Sequence, residues 1–255
     1  MFLDFLFHPH REMLSLPYKR EIHCHLIPGV DDGSETPEDS LQYVRALAEM
    51  GVRNLIFTPH HTEPKFLNTP ENIEPKYQAL CQEVTKAGIP VNIEGYSFEY
   101  RIDSSFIQMS ESGRWGEAQC QLRPLKGRYV LVENGFNQPL YNLEDVLRDL
   151  QERGWFPIMA HPERYLYYVE RGLSAYERLA DLGVEFQCNM LSFSGYYGRH
   201  TQKMALQLLE EGMISYLGSD LHNDKYVKAL QDYLRSSDYA HLRDDLEMAC
   251  NNDKL

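Results

Sequence analysis

Five times along this chain a helix-like stretch runs into a glycine and an apolar strand-like stretch follows. The joins read ALAEMG–VRNLIF, VTKAG–IPVNI, LQERG–WFPIMA, RLADLG–VEFQCN and LLEEG–MISYLG. Gly51, Gly88, Gly154, Gly183 and Gly212 supply the left-handed residue that stops a helix. The first helix also carries a start signal: Thr36 as N-cap, Pro37 in the first helical position and Asp39 placed to close a capping box. Leu41, Val44, Leu47 and Ala48 then form its apolar stripe. Strands alternating with helices at this spacing demand a mostly parallel sheet covered by helices. An open doubly wound sheet meets that demand too, but no G-x-G-x-x-G or P-loop sequence is present to support a nucleotide crevice. The repeat is architectural, and no solenoid-type sequence repeat underlies it.

Residues placed just after the strands favour a barrel. In HCHLIPGVDDG, His23 and His25 sit two apart, so on an extended backbone they point the same way and reach one metal ion. Further ligand-type residues come just past apolar runs: His60 after NLIFTP, Glu99 after YSF, Glu133 after YVLV, His161 after FPIMA, and Asp220 with His222 after ISYLGS. Parallel α/β barrels build their sites at the C-terminal mouth of the strands. Imidazoles mixed with carboxylates suit zinc, manganese or iron, and a shared carboxylate can bridge ions. Each residue also has a plainer reading. His60 and His61 follow Pro59 in a turn, where at least one is expected to be structural or solvated, and His60 is taken as the ligand. Glu94 rivals Glu99, and His161 before Pro162 also reads as a simple strand end. His8 and His10 lie outside the repeat and read as tail.

Composition narrows the class. A length of 255 residues is ordinary for one α/β barrel, and 43% hydrophobic residues allow a core without staples. A net charge of -13 argues against nucleic acid as a main partner. Cys24, Cys81, Cys120, Cys188 and Cys250 are odd in number and irregularly spaced, which reads as free thiols in a reducing, cytoplasmic setting. The opening MFLDFLFHPHREML is apolar but short, carries Asp4 and lacks a basic leader, so it reads as neither signal peptide nor membrane span. Residues 1–20 are expected to form an extension packed on the barrel or on a partner chain, with 21–255 as the barrel domain. No cysteine is followed six residues on by arginine, and no G-x-S-x-G or H-E-x-x-H occurs. The motifs of a cysteine-dependent tyrosine phosphatase, a serine hydrolase and a zincin are thus missing, and metal-hydroxide hydrolysis is left as the leading mechanism.

The segments HCHLIPGVDDGS, TPHH, FEY, VEN, AHPERY and GSDLHN together resemble the polymerase-and-histidinol-phosphatase (PHP) superfamily. More narrowly they are similar to its bacterial capsule and exopolysaccharide tyrosine phosphatases, the CpsB- and YwqE-like branch. The likeness runs from about His23 to His222. It implies a distorted, TIM-like (β/α)7 barrel of α/β class holding up to three divalent ions, manganese in the active form, with iron, zinc, cobalt or magnesium as alternatives. Carried over by position, His23, His25, Glu99 and Asp220 hold the first ion. Glu99 bridges to a second held by Glu133 and His161, and Asp32, His60 and His222 hold a third. Such ions acidify water toward a pKa of ~7 for attack on phosphorus. Arg164 of HPERY is the expected catalytic cation, its plainer reading being a salt bridge to Glu163 or another nearby carboxylate. Where relatives carry a second arginine this chain reads NDKYVK, which leaves Lys225 or Lys228 as a stand-in, or none. The implied substrate is a phosphotyrosine protein, such as the tail of a membrane tyrosine kinase, with homo-oligomers possible and no membrane insertion. A small-molecule phosphoesterase such as a histidinol-phosphate phosphatase, or a non-catalytic scaffold binding the kinase tail, is the alternative.

Overall fold

A computed structural model describes residues 12–114 and 116–255. The early stretch that holds His8 and His10 therefore lies outside the described residues. Among the described residues there are nine strands: β1 (Arg20–Glu21), β2 (Asn54–Phe57), β3 (His60–His61), β4 (Asn92–Tyr96), β5 (Glu99–Arg101), β6 (Tyr129–Glu133), β7 (Phe156–Ala160), β8 (Glu185–Asn189) and β9 (Tyr216–Gly218). All pair in parallel, in the orders β1-β2-β4 and β3-β5-β6-β7-β8-β9. Each of β3 and β5 prolongs the strand before it, because β2 pairs with β4 and β3 pairs with β5. Beyond β1 the chain bridges from Cys24 to Leu221, and the His25 N–H donates to the Leu221 carbonyl at 3.0 Å. These pairings return to their start, so seven parallel lines of chain form a ring.

Side-chain alternation agrees with that ring. Leu55, Phe57, Val130, Val132 and Met159 join the large cluster beneath the helices, while Ile56, Leu131, Ile158, Ala160 and Tyr216 form a smaller one inside. Leu255 packs against the inner cluster from the chain's other end.

The helix signals act as expected. The five repeat glycines stand at φ between 62° and 104°. Thr36 Oγ1 accepts the Asp39 N–H while the Asp39 carboxylate accepts the Thr36 N–H, which closes the capping box of helix Pro37–Glu49. Strand β6 stands outside the repeat for a local reason. The helix before it, Ser104–Glu111, is capped by Asp103, and among the described residues no further helix or strand comes before Tyr129. Where the extension is described it lies against the ring: the Leu14 N–H donates to Leu234 and the Leu16 N–H to Met50, with Leu16 and Tyr18 buried. Among the described residues no helix is long and apolar enough to cross a membrane.

Candidate metal centre at the mouth of the ring

The inward-facing positions of the strands carry their last side chains to one end of the ring, where nearly all the expected residues meet. The Nε2 atoms of His23 and His25 lie 3.3 and 3.4 Å from the two oxygens of Glu99, and each is 3.4 Å from Asp220 Oδ1. On the other side of Glu99, His161 Nε2 approaches to 2.9 Å and His60 Nδ1 to 2.9 Å. Glu133 Oε1 is 3.7 Å from His60 Nδ1, and Asp32 Oδ1 lies 3.4 Å from His60 Nε2 and 3.7 Å from His222 Nε2. His60 thus faces the Glu99–Glu133 pair with one nitrogen and Asp32 with the other, rather than Asp32 alone. A cavity of about 300 Å³ opens here, lined by Asp32, His60, Glu133, His161, Asp220, His222, Arg164 and Phe136 among others.

Backbone geometry aims two of these groups. Met159 faces outward, so simple alternation would send His161 outward too. A left-handed backbone at φ 36° turns it into the mouth instead, and Asp220 has φ 50°. Such conformations cost non-glycine residues roughly 1–3 kcal/mol each and collect at functional sites. The loop across His25 is equally constrained: a Cβ on Gly33 would stand 2.0 Å from the His25 carbonyl oxygen.

A second layer fixes the ring nitrogens. His25 Nδ1 lies 2.9 Å from Asp31 Oδ2, which also accepts the His60 N–H at 3.0 Å. His23 Nδ1 lies 2.6 Å from Gln187 Oε1. Arg101 Nε donates to Glu133 Oε1 at 3.2 Å. Arg164 Nη1 donates to Asp220 Oδ2 at 2.8 Å, its guanidinium between the rings of Phe136 at 5.0 Å and Tyr197 at 4.3 Å. Glu163 is not its partner, being buried and bonded to the Asn189 N–H and the Ser192 hydroxyl. Sequence reading missed Asp31, Gln187, Asn189 and Arg101. The signals were the first carboxylate of VDDG and the polar residues two apart in EFQCN and FEYR.

The rival candidates lie elsewhere, and so do the two lysines offered as stand-ins for a second arginine. His61 is buried between the Asn68 carbonyl (2.6 Å) and the Ser105 hydroxyl (3.1 Å). Glu94, within β4, pairs with Arg20 and Lys126. Lys228 pairs with Asp232 on its own helix, and neither it nor Lys225 lines the cavity.

Electrostatics show what the mouth lacks. Burial opposes charge on His23, but Glu99 and Asp220 outweigh it and raise its pKa to about 9. Burial and the His25 cation push His222 down to about 4, which leaves it neutral at pH 7. Burial and the neighbouring Glu99 push Glu133 up. His23 Nε2, His25 Nε2, His60 Nδ1 and both Glu99 oxygens are buried without a hydrogen bond of acceptable geometry. Buried polar groups are normally paired; here the imidazoles hold protons against Glu99 and Asp220 without well-formed hydrogen bonds, an arrangement in which divalent ions would take the place of those protons. Groups of three of these residues bring ligand atoms within 4.8 Å of one another: His23, His25, Asp220; His23, Glu99, His161; His60, Glu99, Glu133; and His25, His60, His222. The donor set fits divalent metal.

Comparison with known proteins agrees. Residues 20–232 match the family model described as capsular polysaccharide synthesis, CpsB/CapC. The tyrosine-protein phosphatase YwqE of Bacillus subtilis is 30% identical over 80% of this chain and 78% of its own length. The tyrosine-protein phosphatase CpsB of Streptococcus agalactiae is 26% identical over 80% and 82%. A solved structure, from work on YwqE of Bacillus subtilis and CpsB of Streptococcus pneumoniae as metal-dependent tyrosine phosphatases, is similar with a TM-score of 0.73. It is 28% identical, over 91% of this chain and 94% of that one.

Proposed function

The chain belongs to the CpsB/CapC family of capsular polysaccharide synthesis, and from that membership we propose that it is a metal-dependent phosphatase acting on phosphotyrosine in a protein of polysaccharide export, its substrate being the tail of a membrane tyrosine kinase met in the cytoplasm. The observation that carries the reading is the knot of unpaired histidine and glutamate atoms around Glu99. In this reading His23, His25, Glu99 and Asp220 hold a first ion. Glu99 is shared with a second held by Glu133 and His161, and Asp32, His60 and His222 hold a third, manganese being the metal proposed. Bound divalent metal supplies Lewis acidity and brings the pKa of water toward ~7.

The remaining work falls to the side chains. His222, neutral at pH 7, keeps a lone pair free. Asp220 spends Oδ2 on Arg164 and keeps Oδ1 turned to the histidines. Arg164 has five N–H donors, one of them used on Asp220, and it lines the cavity, so the others can receive a phosphoryl oxygen. Asp32, with half its side chain exposed, leaves the mouth reachable by a residue on a peptide. Phenolate, of pKa ~10, leaves more readily than an alkoxide.

The test is the stripped protein reloaded with manganese and assayed side by side on a phosphotyrosine peptide and on histidinol phosphate. The peptide is expected to turn over at least tenfold faster in kcat/KM, and the opposite order would reassign the substrate. Arg164→Lys is expected to raise KM and lower kcat together, because lysine offers one mobile charge for a planar fork.

A further inference from the structure

From the amides behind the mouth we infer that Gln187 and Asn189 are positioning residues: a one-way hydrogen-bond relay from His23 to Asp220 that fixes which nitrogen of His23 faces the metal. The inference rests on the metal reading of the mouth and not on the identity of the phosphoester.

The direction of the relay follows from its carboxylate end. Asp220 Oδ2 already accepts from Arg164, so it can only accept again, and the group 2.7 Å away on Asn189 must be its amide nitrogen. The other end of that amide is then its oxygen, which faces Gln187 at 3.0 Å and requires the Gln187 nitrogen as donor. Gln187 is left with its oxygen toward His23 Nδ1, 2.6 Å away. A neutral His23 must therefore carry its proton on Nδ1, which leaves the Nε2 lone pair pointed between Glu99 and Asp220. Reversing any one amide would set oxygen against oxygen or nitrogen against nitrogen somewhere along the chain.

Its setting shows a built device. Gln187 and Asn189 alternate with Phe186 and Cys188, so both point inside the ring, and both are fully buried. Inward polar side chains on a strand are costly unless every group is paired, and here the chain pairs them. Gly218, on the neighbouring β9, leaves the room: a Cβ there would stand 2.8 Å from Gln187 Nε2 and 2.8 Å from His23 Cβ. The Gln187 carbonyl also accepts the N–H of left-handed His161 at 2.7 Å, so one residue steadies two candidate ligands.

Two readouts test the relay on the full chain. Zinc affinity is measured by chelator competition at neutral pH, and the His23 tautomer is read by nitrogen-15 NMR on the stripped chain, at a pH above the one where the His23 ring signals stop titrating. The parent should show Nδ1–H. Gln187→Met should mix the tautomers and weaken zinc by ten- to a hundredfold, the usual cost of losing a group behind a ligand. Gln187→Glu keeps an acceptor for Nδ1 and should hold the single tautomer, although it sets an oxygen against the Asn189 oxygen and so breaks the far half of the relay, whereas a packing role would favour Met. Asn189→Leu, one residue removed from His23, should also mix the tautomers by freeing Gln187 to turn over. An Nε2–H tautomer in the parent would overturn the inference, and that spectrum needs no variant to fold. So would an Asn189→Leu chain whose His23 spectrum matches the parent. A parent that takes up no zinc would overturn the metal reading, and this inference with it.

Discussion

Two of the wholly buried glutamates, Glu21 and Glu99, lie within reach of the same strands and are treated in opposite ways. Glu21, at the seam where β1 meets β9, is surrounded by donors. Its Oε1 accepts the N–H groups of Ile22 and His23 at 3.1 and 2.9 Å. Its Oε2 accepts the Tyr18 hydroxyl at 2.8 Å, and the Ser219 N–H lies 3.2 Å from both oxygens. Glu99, at the mouth, meets four histidine nitrogens and makes no acceptable hydrogen bond with either oxygen. Burial is the same in both places. Satisfaction separates a pin that holds the ring shut from a site that waits for cations.

The largest break in that comparison is expected from chelation. Exhaustive removal of metal should reduce phosphatase activity by orders of magnitude, and manganese should restore it better than magnesium. It should also lower stability, because a ligand at a hundred times its Kd adds about 2.7 kcal/mol to the folded state. For a chain of this size each kcal/mol is worth roughly 2–4 °C in Tm. Full activity with metal content verified near zero, or an unchanged Tm, would show the mouth to be as self-sufficient as the seam.

The next expectation sets stability against function at one residue. His161→Gly removes a candidate ligand and also relieves a left-handed backbone at φ 36°. Turnover should fall by orders of magnitude while the stripped chain gains about 1 kcal/mol in denaturant unfolding. A loss of stability would mean that the left-handed turn is not strained as its geometry implies.

How much of the molecule could be read from residues obeys the same division. The ring was legible because each unit announces itself locally, by a glycine after a helix and a strand after the glycine. Most ligands were legible because they come directly after the strands they end. Gln187 and Asn189 were not, since their partner His23 lies 164 residues from Gln187 and nothing local in EFQCN reveals it. Asp31 hid beside Asp32, where either carboxylate of VDDG could serve. Glu21 hid because a single acid in a short strand carries no sign of the four donors folded around it. Contacts between remote segments leave only weak traces such as Q-x-N on one face of a strand.

His60 and His61 carry the comparison to adjacent residues. His60 belongs to the mouth, and His61 is satisfied on both nitrogens by Asn68 and Ser105. His60→Ala should lose turnover by at least a hundredfold with little change in unfolding. His61→Ala should cost about 1–3 kcal/mol of stability by stranding its partners and change turnover only severalfold. Equal losses of turnover at both positions would place the ligand on the wrong member of the pair.

The smallest effect belongs to the seam itself. Burial pushes the Glu21 carboxyl above its ordinary range, and the N–H groups of His23 and Ser219 with the Tyr18 hydroxyl pull only part of the way back. A carboxyl whose folded pKa is raised holds its proton more firmly in the folded chain than in the unfolded one. Its contribution to stability is therefore full below the unfolded value and declines as pH rises through the folded one. Glu21→Gln removes that titration but keeps an oxygen for the backbone donors, so the exchange should change stability at neutral pH by no more than about 1 kcal/mol. Unfolding free energies of parent and variant, compared from pH 4 to pH 7, should show the parent losing ground to the variant as pH rises. A difference that stays flat, or that grows in the parent's favour, would mean that the donors outweigh burial. Glu21 would then be an anion held by hydrogen bonds alone, and satisfaction at the seam would be stronger than its burial suggests.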